Sequence, residues 1–298
     1  MAQKIASIEV FCGDSISLLE DIADNSINAV ITDPPYNVSM AGWDSFETNA
    51  EYGDWCHSWA AQCFRILKPG GAFMSFSAAR TYHWLAVGAE KSGLETRDMI
   101  EWIYWASFAK GKNLKPGHEP IYYGVKQPLS DITFNLDDCR IPMNRKQQNA
   151  LEAAVLANQP TKPRADIWSK PNDNVGKKYN SVVGKKENGW KHTTNPPHPG
   201  GRVPYNVITD YSLDMATNFV DFKKPRGKDS IPDHPTQKPV VLMEWLIKLV
   251  TNPGDIILDP FAGTGTTGVA ARNLGRHSIL FDREQQYVDL IEKRIEAS

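Results

Sequence analysis

Towards its C-terminal end the chain reads Ile256-Ile257-Leu258-Asp259-Pro260-Phe261-Ala262-Gly263-Thr264-Gly265-Thr266-Thr267-Gly268. The apolar triplet predicts a buried strand, and Thr266 to Leu274 predicts a helix. Gly263, Gly265 and Gly268 fit G-x-G-x-x-G at the turn between them. A second strand is expected over Ser278 to Phe281, tipped by Asp282, and a last helix over Gln285 to Glu296. Glycines at such a turn let a ligand approach the backbone, and an acid at the next strand tip accepts bonds from ribose hydroxyls. On its own the pattern indicates an adenosine-containing cofactor and does not separate NAD from S-adenosylmethionine. Upstream, Val240 to Leu249 reads as an apolar helix. Two strands after Lys238 cannot complete a doubly wound sheet, so strands from the N-terminal half must join it. The cofactor half therefore comes last in the chain.

The N-terminal half is organised around Ala29-Val30-Ile31-Thr32-Asp33-Pro34-Pro35-Tyr36-Asn37. The apolar run reads as a buried strand, ended by Pro34 because proline brings no ladder donor. Two prolines fix φ twice and stiffen the peptide that follows. Asp33 and the Pro34 carbonyl, if they face one small planar object, would accept two N–H bonds from an exocyclic amine, and the Tyr36 ring would stack beside it. That set suits an amino-bearing nucleobase taken out of a duplex.

Elsewhere helix and strand alternate. Strands are expected at Ile5–Cys12, Ala72–Phe76, Met99–Ser107 and Ile121–Val125. Helices are expected at Ile16–Ile22, capped by Ser15, at Glu51–Leu67 and at Ala79–Lys91. Trp55, Trp59, Cys63 and Leu67 form an i, i+4 core stripe, and Lys68-Pro69-Gly70-Gly71 reads as the turn that ends it. Val38 to Asn49, with Trp43 and Phe46, reads as a loop beside the site, either clamping nucleic acid or covering a core edge. The pattern predicts an α/β fold, a doubly wound and mostly parallel sheet. It breaks near Ser130. Met143 to Ala157 reads as a helix, and Asn158 to Arg202 is rich in Pro, Gly, Asn and Lys without periodicity. Three segments follow: a catalytic half at 1–129, an inserted recognition region at 130–232, and the cofactor half at 233–298.

The 298 residues are 41% hydrophobic, enough for a sizeable core. No apolar run is long enough to span a bilayer, so no membrane partner is expected, and no signal peptide is read at the N-terminus. Cys12, Cys56, Cys63 and Cys139 lack CxxC spacing and read as reduced thiols of a cytosolic protein. No metal is expected. The net charge is −2, unevenly spread: Ile141 to Ser230 holds 15 Lys+Arg against 8 Asp+Glu. A basic segment on an acidic body points to a polyanion partner. Lys177, Lys178, Lys185 and Lys186 are its candidate phosphate contacts, with ordinary solvated charge as the plainer reading.

Taken together, these motifs resemble the amino-group DNA methyltransferases, acting on adenine N6 or cytosine N4, in their permuted beta class. Asp33-Pro34-Pro35-Tyr36 is similar to the family's catalytic tetrapeptide, and Asp259 to Thr266 to its cofactor loop. His234-Pro235-Thr236-Gln237-Lys238-Pro239 is similar to the stretch preceding that loop, and Gly13-Asp14 to its adenine-contacting acid. The resemblance covers Ile5 to Val125 and His234 onward. It implies S-adenosylmethionine as cofactor, double-stranded DNA as partner, and a circularly permuted methyltransferase fold. Asp33 and the Pro34 carbonyl would hold the target amine, with Pro35 completing the rigid tetrapeptide and Tyr36 stacked on the flipped base. Phe261, Gly263 and Gly265 would line the methionine end of the cofactor, within the Asp259–Thr266 loop. Thr236 and Lys238 would lie near its carboxylate, Asp282 on its ribose and Asp14 on its adenine. Transfer would be direct, with no covalent enzyme intermediate. Members acting on cytosine N4 more often carry Ser where Asp33 stands, so the resemblance favours adenine. Dimerisation is common in the class, although no feature of this sequence demands it. Three rivals are an RNA or protein amino-group methyltransferase, a nicotinamide oxidoreductase using the glycine loop, and a catalytically silent DNA-binding module. Motif order, the Pro-Pro-Tyr sequence, and intact Asp33 and Tyr36 argue against them in turn.

Overall fold

The computed structural model describes residues 6–39, 42–103, 118–139, 185–186, 189–190, 207–209 and 237–296. The chain divides into two compact units. One comprises residues 1–140, 203–214 and 219–298, and the other comprises 141–202 and 215–218. In the second unit the described residues form a hairpin, β6 (Lys185–Lys186) against β7 (Gly189–Trp190). The expected helix over 143–157 lies outside the described residues.

The larger unit is built on β1 (Ile8–Cys12), β2 (Ile27–Thr32), β3 (Leu67–Phe76), β4 (Glu95–Ile103), β5 (His118–Val125), β8 (Val207–Thr209), β9 (Ile256–Asp259) and β10 (His277–Asp282). They form one sheet in the order β1-β10-β9-β2-β3-β5-β4-β8. The two C-terminal strands sit between β1 and β2, so the halves of the chain share one sheet as their motif order required. The strands from β1 to β3 run parallel, whereas β5 is antiparallel to both β3 and β4. The strand expected at 99–107 begins four residues earlier. The segment 68–71 is a bulge rather than a turn. Ile27 pairs with Leu67 but Ala29 with Ala72, and Gly70, at φ +75°, donates its N–H to the Lys126 carbonyl.

The helices are α1 (Ser15–Glu20), α2 (Asn49–Ile66), α3 (Tyr82–Lys91), α4 (Val240–Val250), α5 (Thr266–Asn273) and α6 (Gln285–Glu296). Strand alternation sends side chains to opposite faces. Ala29, Ile31 and Met74 join α4 and α5 in one core, whereas Val30 and Phe73 meet Leu19 of α1, the α2 stripe and Leu85 of α3 in the other. Leu280 packs with Ile291 of α6. Trp59, Cys63 and Leu67 of the predicted stripe are fully buried. Helix α2 starts with a reciprocal cap, in which Thr48 Oγ1 accepts from Glu51 N–H and Glu51 accepts from Thr48 N–H. The cap of α1 is Asp14 and not Ser15. Asp14 Oδ1 accepts from Ser17 N–H at 3.1 Å, while the Ser15 hydroxyl is buried and donates to the Pro260 carbonyl at 2.5 Å.

Two crossovers leave the centre of the sheet in opposite directions. From β9 the chain runs through α5 to β10, and from β2 it runs through α2 to β3 on the other face. Strands β9 and β2 are neighbours, so a crevice opens beyond their C-terminal ends, at the topological switch point. No described helix is long and apolar enough to cross a membrane.

Candidate active site

A cavity of about 420 Å³ occupies that crevice. The tips of β1, β2, β9 and β10 supply Asp14, Asp33, Asp259 and Asp282 to its lining. Because these strands are parallel, two segments more than 200 positions apart arrive at one edge of the sheet.

The Asp33 end is held by bonds that the sequence conceals. Asp44, only 1% exposed, accepts backbone N–H groups from Tyr36, Asn37 and Val38 at 2.7, 2.7 and 3.1 Å. The Pro35 carbonyl accepts from the Tyr52 hydroxyl at 3.1 Å, and the Tyr36 carbonyl from Thr81 at 2.8 Å. Among the described residues no hydrogen bond reaches the Pro34 carbonyl, and Pro34 lines the cavity. Both Asp33 oxygens are engaged. The Tyr36 hydroxyl donates to Oδ1, and the Lys238 ammonium donates to Oδ2 at 2.6 Å. Lys238 is 6% exposed and also meets Glu119 Oε2 at 3.1 Å. The same Glu119 oxygen lies 3.3 Å from the Tyr36 hydroxyl, as an alternative acceptor for its one proton. Burial raises the Asp33 pKa above the ordinary carboxylate value, only partly offset by Lys238. Burial works against the charge on Lys238, but Asp33 and Glu119 outweigh it and hold its pKa above that of a free lysine. Burial, with both carboxylates nearby, pushes the Tyr36 hydroxyl well up, so it stays a donor.

The glycine-loop end is equally ordered. Asp259 is buried and accepts from Thr32 Oγ1 at 2.6 Å, Thr267 Oγ1 at 2.5 Å and the Phe261 N–H at 3.1 Å. It thus ties β2 to β9 and α5, and burial lifts its pKa to about 6. Asp282 accepts Gly263 N–H at 2.8 Å and Glu284 N–H at 2.9 Å, one on each oxygen. A carboxylate oxygen has more than one acceptor site, so Asp282 retains capacity for ligand hydroxyls. Its pKa is raised by burial and partly lowered again by those N–H bonds. The apolar wall is aromatic. Phe261 packs on Trp55 and Trp59 at 5.5 and 5.2 Å, and Phe46 packs on Trp55 at 5.2 Å. Phe46 therefore covers a core edge as well as lining the cavity; the Trp43 side chain is outside the described residues.

Asp33, Pro34, Pro35 and Tyr36 thus share one cavity with Asp14, Lys238, Asp259, Phe261, Gly263, Thr266 and Asp282. Two placements depart from the sequence reading. The resemblance puts Lys238 beside a cofactor carboxylate, whereas its ammonium is on two side-chain carboxylates. Gly265 does not line the cavity. It has φ +72° at the start of α5, and a Cβ there would meet Ile291 side-chain atoms at 2.9 Å, so packing and backbone conformation call for glycine. Gly268 is likewise pressed against Leu280, at 2.6 Å from a notional Cβ. Thr236, Lys177 and Lys178 lie outside the described residues, and Lys185 and Lys186 are described as strand only. Sequence reasoning missed Glu119. It enters the site because β5 is antiparallel, which brings its first residues to the edge where the other strands end. It also missed Asp44, a solitary acid in a loop.

The described residues fit S-adenosylmethionine. The cavity offers acceptors for hydroxyl and amino groups at Asp14 and Asp282, and aromatic faces and carboxylates that suit a sulfonium cation. Among the described residues no cysteine lines it, and burial holds the Cys56 and Cys139 thiols up at about 12.

Comparison with known proteins agrees with this architecture. The family model described as DNA methylase, of the N6/N4 methyltransferase group, matches residues 27–293. The type II methyltransferase M.HpaI of Haemophilus parainfluenzae is 28% identical over 293 residues, spanning 97% of this chain and 74% of that enzyme. The type II methyltransferase M.BglII of Bacillus subtilis is 27% identical, spanning 95% and 67%. Among solved structures, the M1.HpyAVI–SAM complex superposes with a TM-score of 0.58 at 22% identity, covering 97% of this chain and 98% of that one. The PvuII cytosine-N4-specific DNA methyltransferase gives 0.60 at 18% identity, covering 97% and 86%. The chain belongs to the N6/N4 DNA methylase family, the amino-group DNA methyltransferases.

Proposed function

We propose that the protein transfers a methyl group from S-adenosylmethionine to N6 of an adenine turned out of a DNA site. One observation carries this reading. Asp33 and Pro34 line the same cavity as Gly263 and Asp282, which supports an amine acceptor pair and an adenosine-type subsite in one crevice. An aromatic amine is a poor nucleophile because its lone pair is delocalised into the ring. Asp33 and the Pro34 carbonyl draw its two N–H bonds out of the ring plane and localise that pair. The cofactor, when bound, supplies an electrophilic sulfonium methyl. The rigid Pro34-Pro35 backbone, anchored by Tyr52, Thr81 and Asp44, keeps the acceptors fixed, so the chain contributes chiefly positioning.

Asp14 and Asp282 are assigned to the adenosine part of the cofactor, Thr236 to its methionine part, and Phe261 to the wall beside the methyl. Lys177, Lys178, Lys185 and Lys186 are assigned to DNA phosphates. Asp at position 33 supports adenine. The similarity to a cytosine-N4-specific enzyme keeps a second reading, transfer to cytosine N4. Methylating genomic DNA with labelled S-adenosylmethionine, digesting it to nucleosides and identifying the labelled one tests the proposal. N6-methyl-2′-deoxyadenosine is expected, N4-methyl-2′-deoxycytidine establishes the second reading, and label in neither contradicts both.

A further inference from the structure

The cluster at Asp33 holds one carboxylate more than the amine acceptor pair requires. Lys238 stands between Asp33 Oδ2 at 2.6 Å and Glu119 Oε2 at 3.1 Å, and its ammonium lies 4.9 Å above the Phe76 ring. Among the described residues the charged and titratable groups facing Asp33 are Lys238 just before α4, Glu119 on β5, Tyr36 in its own loop and Asp259 at the tip of β9. Two carboxylates, one ammonium and a neutral phenol leave the inner cluster with a charge of −1, and one added proton makes it neutral.

Transfer to an amine releases one proton. The N–CH3 bond forms as the S–CH3 bond breaks with its electron pair going to sulfur, and the cationic nitrogen then loses a hydrogen ion. Asp33 is the carboxylate placed to receive it. Once protonated, Asp33 no longer neutralises Lys238, and a lysine 6% exposed cannot turn to solvent for a counter-ion. An unpaired buried charge is costly. Resting on the proposed amine methylation, we propose that Glu119 is a positioning residue for the transfer: it holds the Lys238 ammonium while Asp33 takes the proton released by the methylated amine. The Tyr36 hydroxyl, in contact with both carboxylates, links the two sites.

The test compares Glu119→Gln with Glu119→Asp. It measures two quantities: the titration midpoint of the Asp33 carboxyl, by NMR on protein labelled with carbon-13 at aspartate carboxyls, and the single-turnover transfer rate against pH. Removing the Glu119 charge should lower the Asp33 midpoint by about one pH unit, because a like charge nearby opposes ionisation. The acid limb of the rate profile should move down with it, and the plateau rate should fall severalfold, to at most about tenfold, as the base weakens. Glu119→Asp should keep most of both properties, and it also serves if the Gln variant does not fold. A lower rate with an unmoved midpoint and limb would mean a merely structural role and overturn the proposal. A moved midpoint with an unchanged rate would overturn it too. Wild-type protein that methylates DNA separates these failures from failure of the underlying reading, whereas wild-type protein without transfer overturns both.

Discussion

Asp33 is a carboxylate held ready rather than a free one. Tyr36 and Lys238 each take one acceptor site on its two oxygens, so an incoming amine takes a remaining site or displaces one donor. The hydroxyl is the easier to displace, since it has Glu119 Oε2 within 3.3 Å as an alternative acceptor. In the proposed reaction Tyr36 carries two separable roles, a hydroxyl on the carboxylates and a ring for the base. Tyr36→Phe should keep the ring and cost about tenfold in transfer, the size of one modest hydrogen bond. Tyr36→Ala should also lose base stacking, at about 1–3 kcal/mol, and weaken DNA binding. Single-turnover rates and DNA titrations on the two variants check this, and equal behaviour of Phe and Ala would count against the stacking role. The tetrapeptide was legible in the sequence because its stiffness and chemistry are local. Glu119 was not, because nothing near position 119 reveals that an antiparallel strand delivers it 86 positions away from Asp33.

At the scale of elements, Asp259 joins β2, β9 and α5 through Thr32 and Thr267. Its pKa of about 6 lies above the usual 3.8, so the protonated form is favoured by the folded state. That contribution to stability is complete below about 3.8 and is lost as pH rises through about 6. Asp259→Asn keeps an acceptor for Thr32 and Phe261 and cannot titrate. Its melting temperature relative to wild type should therefore rise between about pH 4 and about pH 7; a constant difference would contradict the assignment. Elements were legible wherever periodicity was strong, as in α2, α4 and the strand into Asp33. The bulge at 68–71 and the cap of α1 were not, because each depends on a distant partner: the Lys126 carbonyl for Gly70, and Pro260 for the hydroxyl of Ser15. The glycine loop was read correctly as a strand-to-helix turn. Packing against Ile291 and Leu280 accounts for Gly265 and Gly268, and only tertiary structure reveals such close approaches.

For the whole molecule, motif order determined the architecture. A cofactor-type turn near the end of the chain and a catalytic-type turn near its beginning can cooperate only if β9 and β10 insert between β1 and β2, which they do. The central claim is that these two distant turns form one cleft with divided labour, Asp33 acting on the amine and Asp282 holding the cofactor. Asp33→Ala measured beside Asp282→Ala tests it most directly, by calorimetry with S-adenosylmethionine and by label transfer to DNA. Asp33→Ala should bind the cofactor as wild type does while transfer falls roughly a thousandfold or more, and Asp282→Ala should lose cofactor affinity. Undiminished transfer by Asp33→Ala would contradict the account.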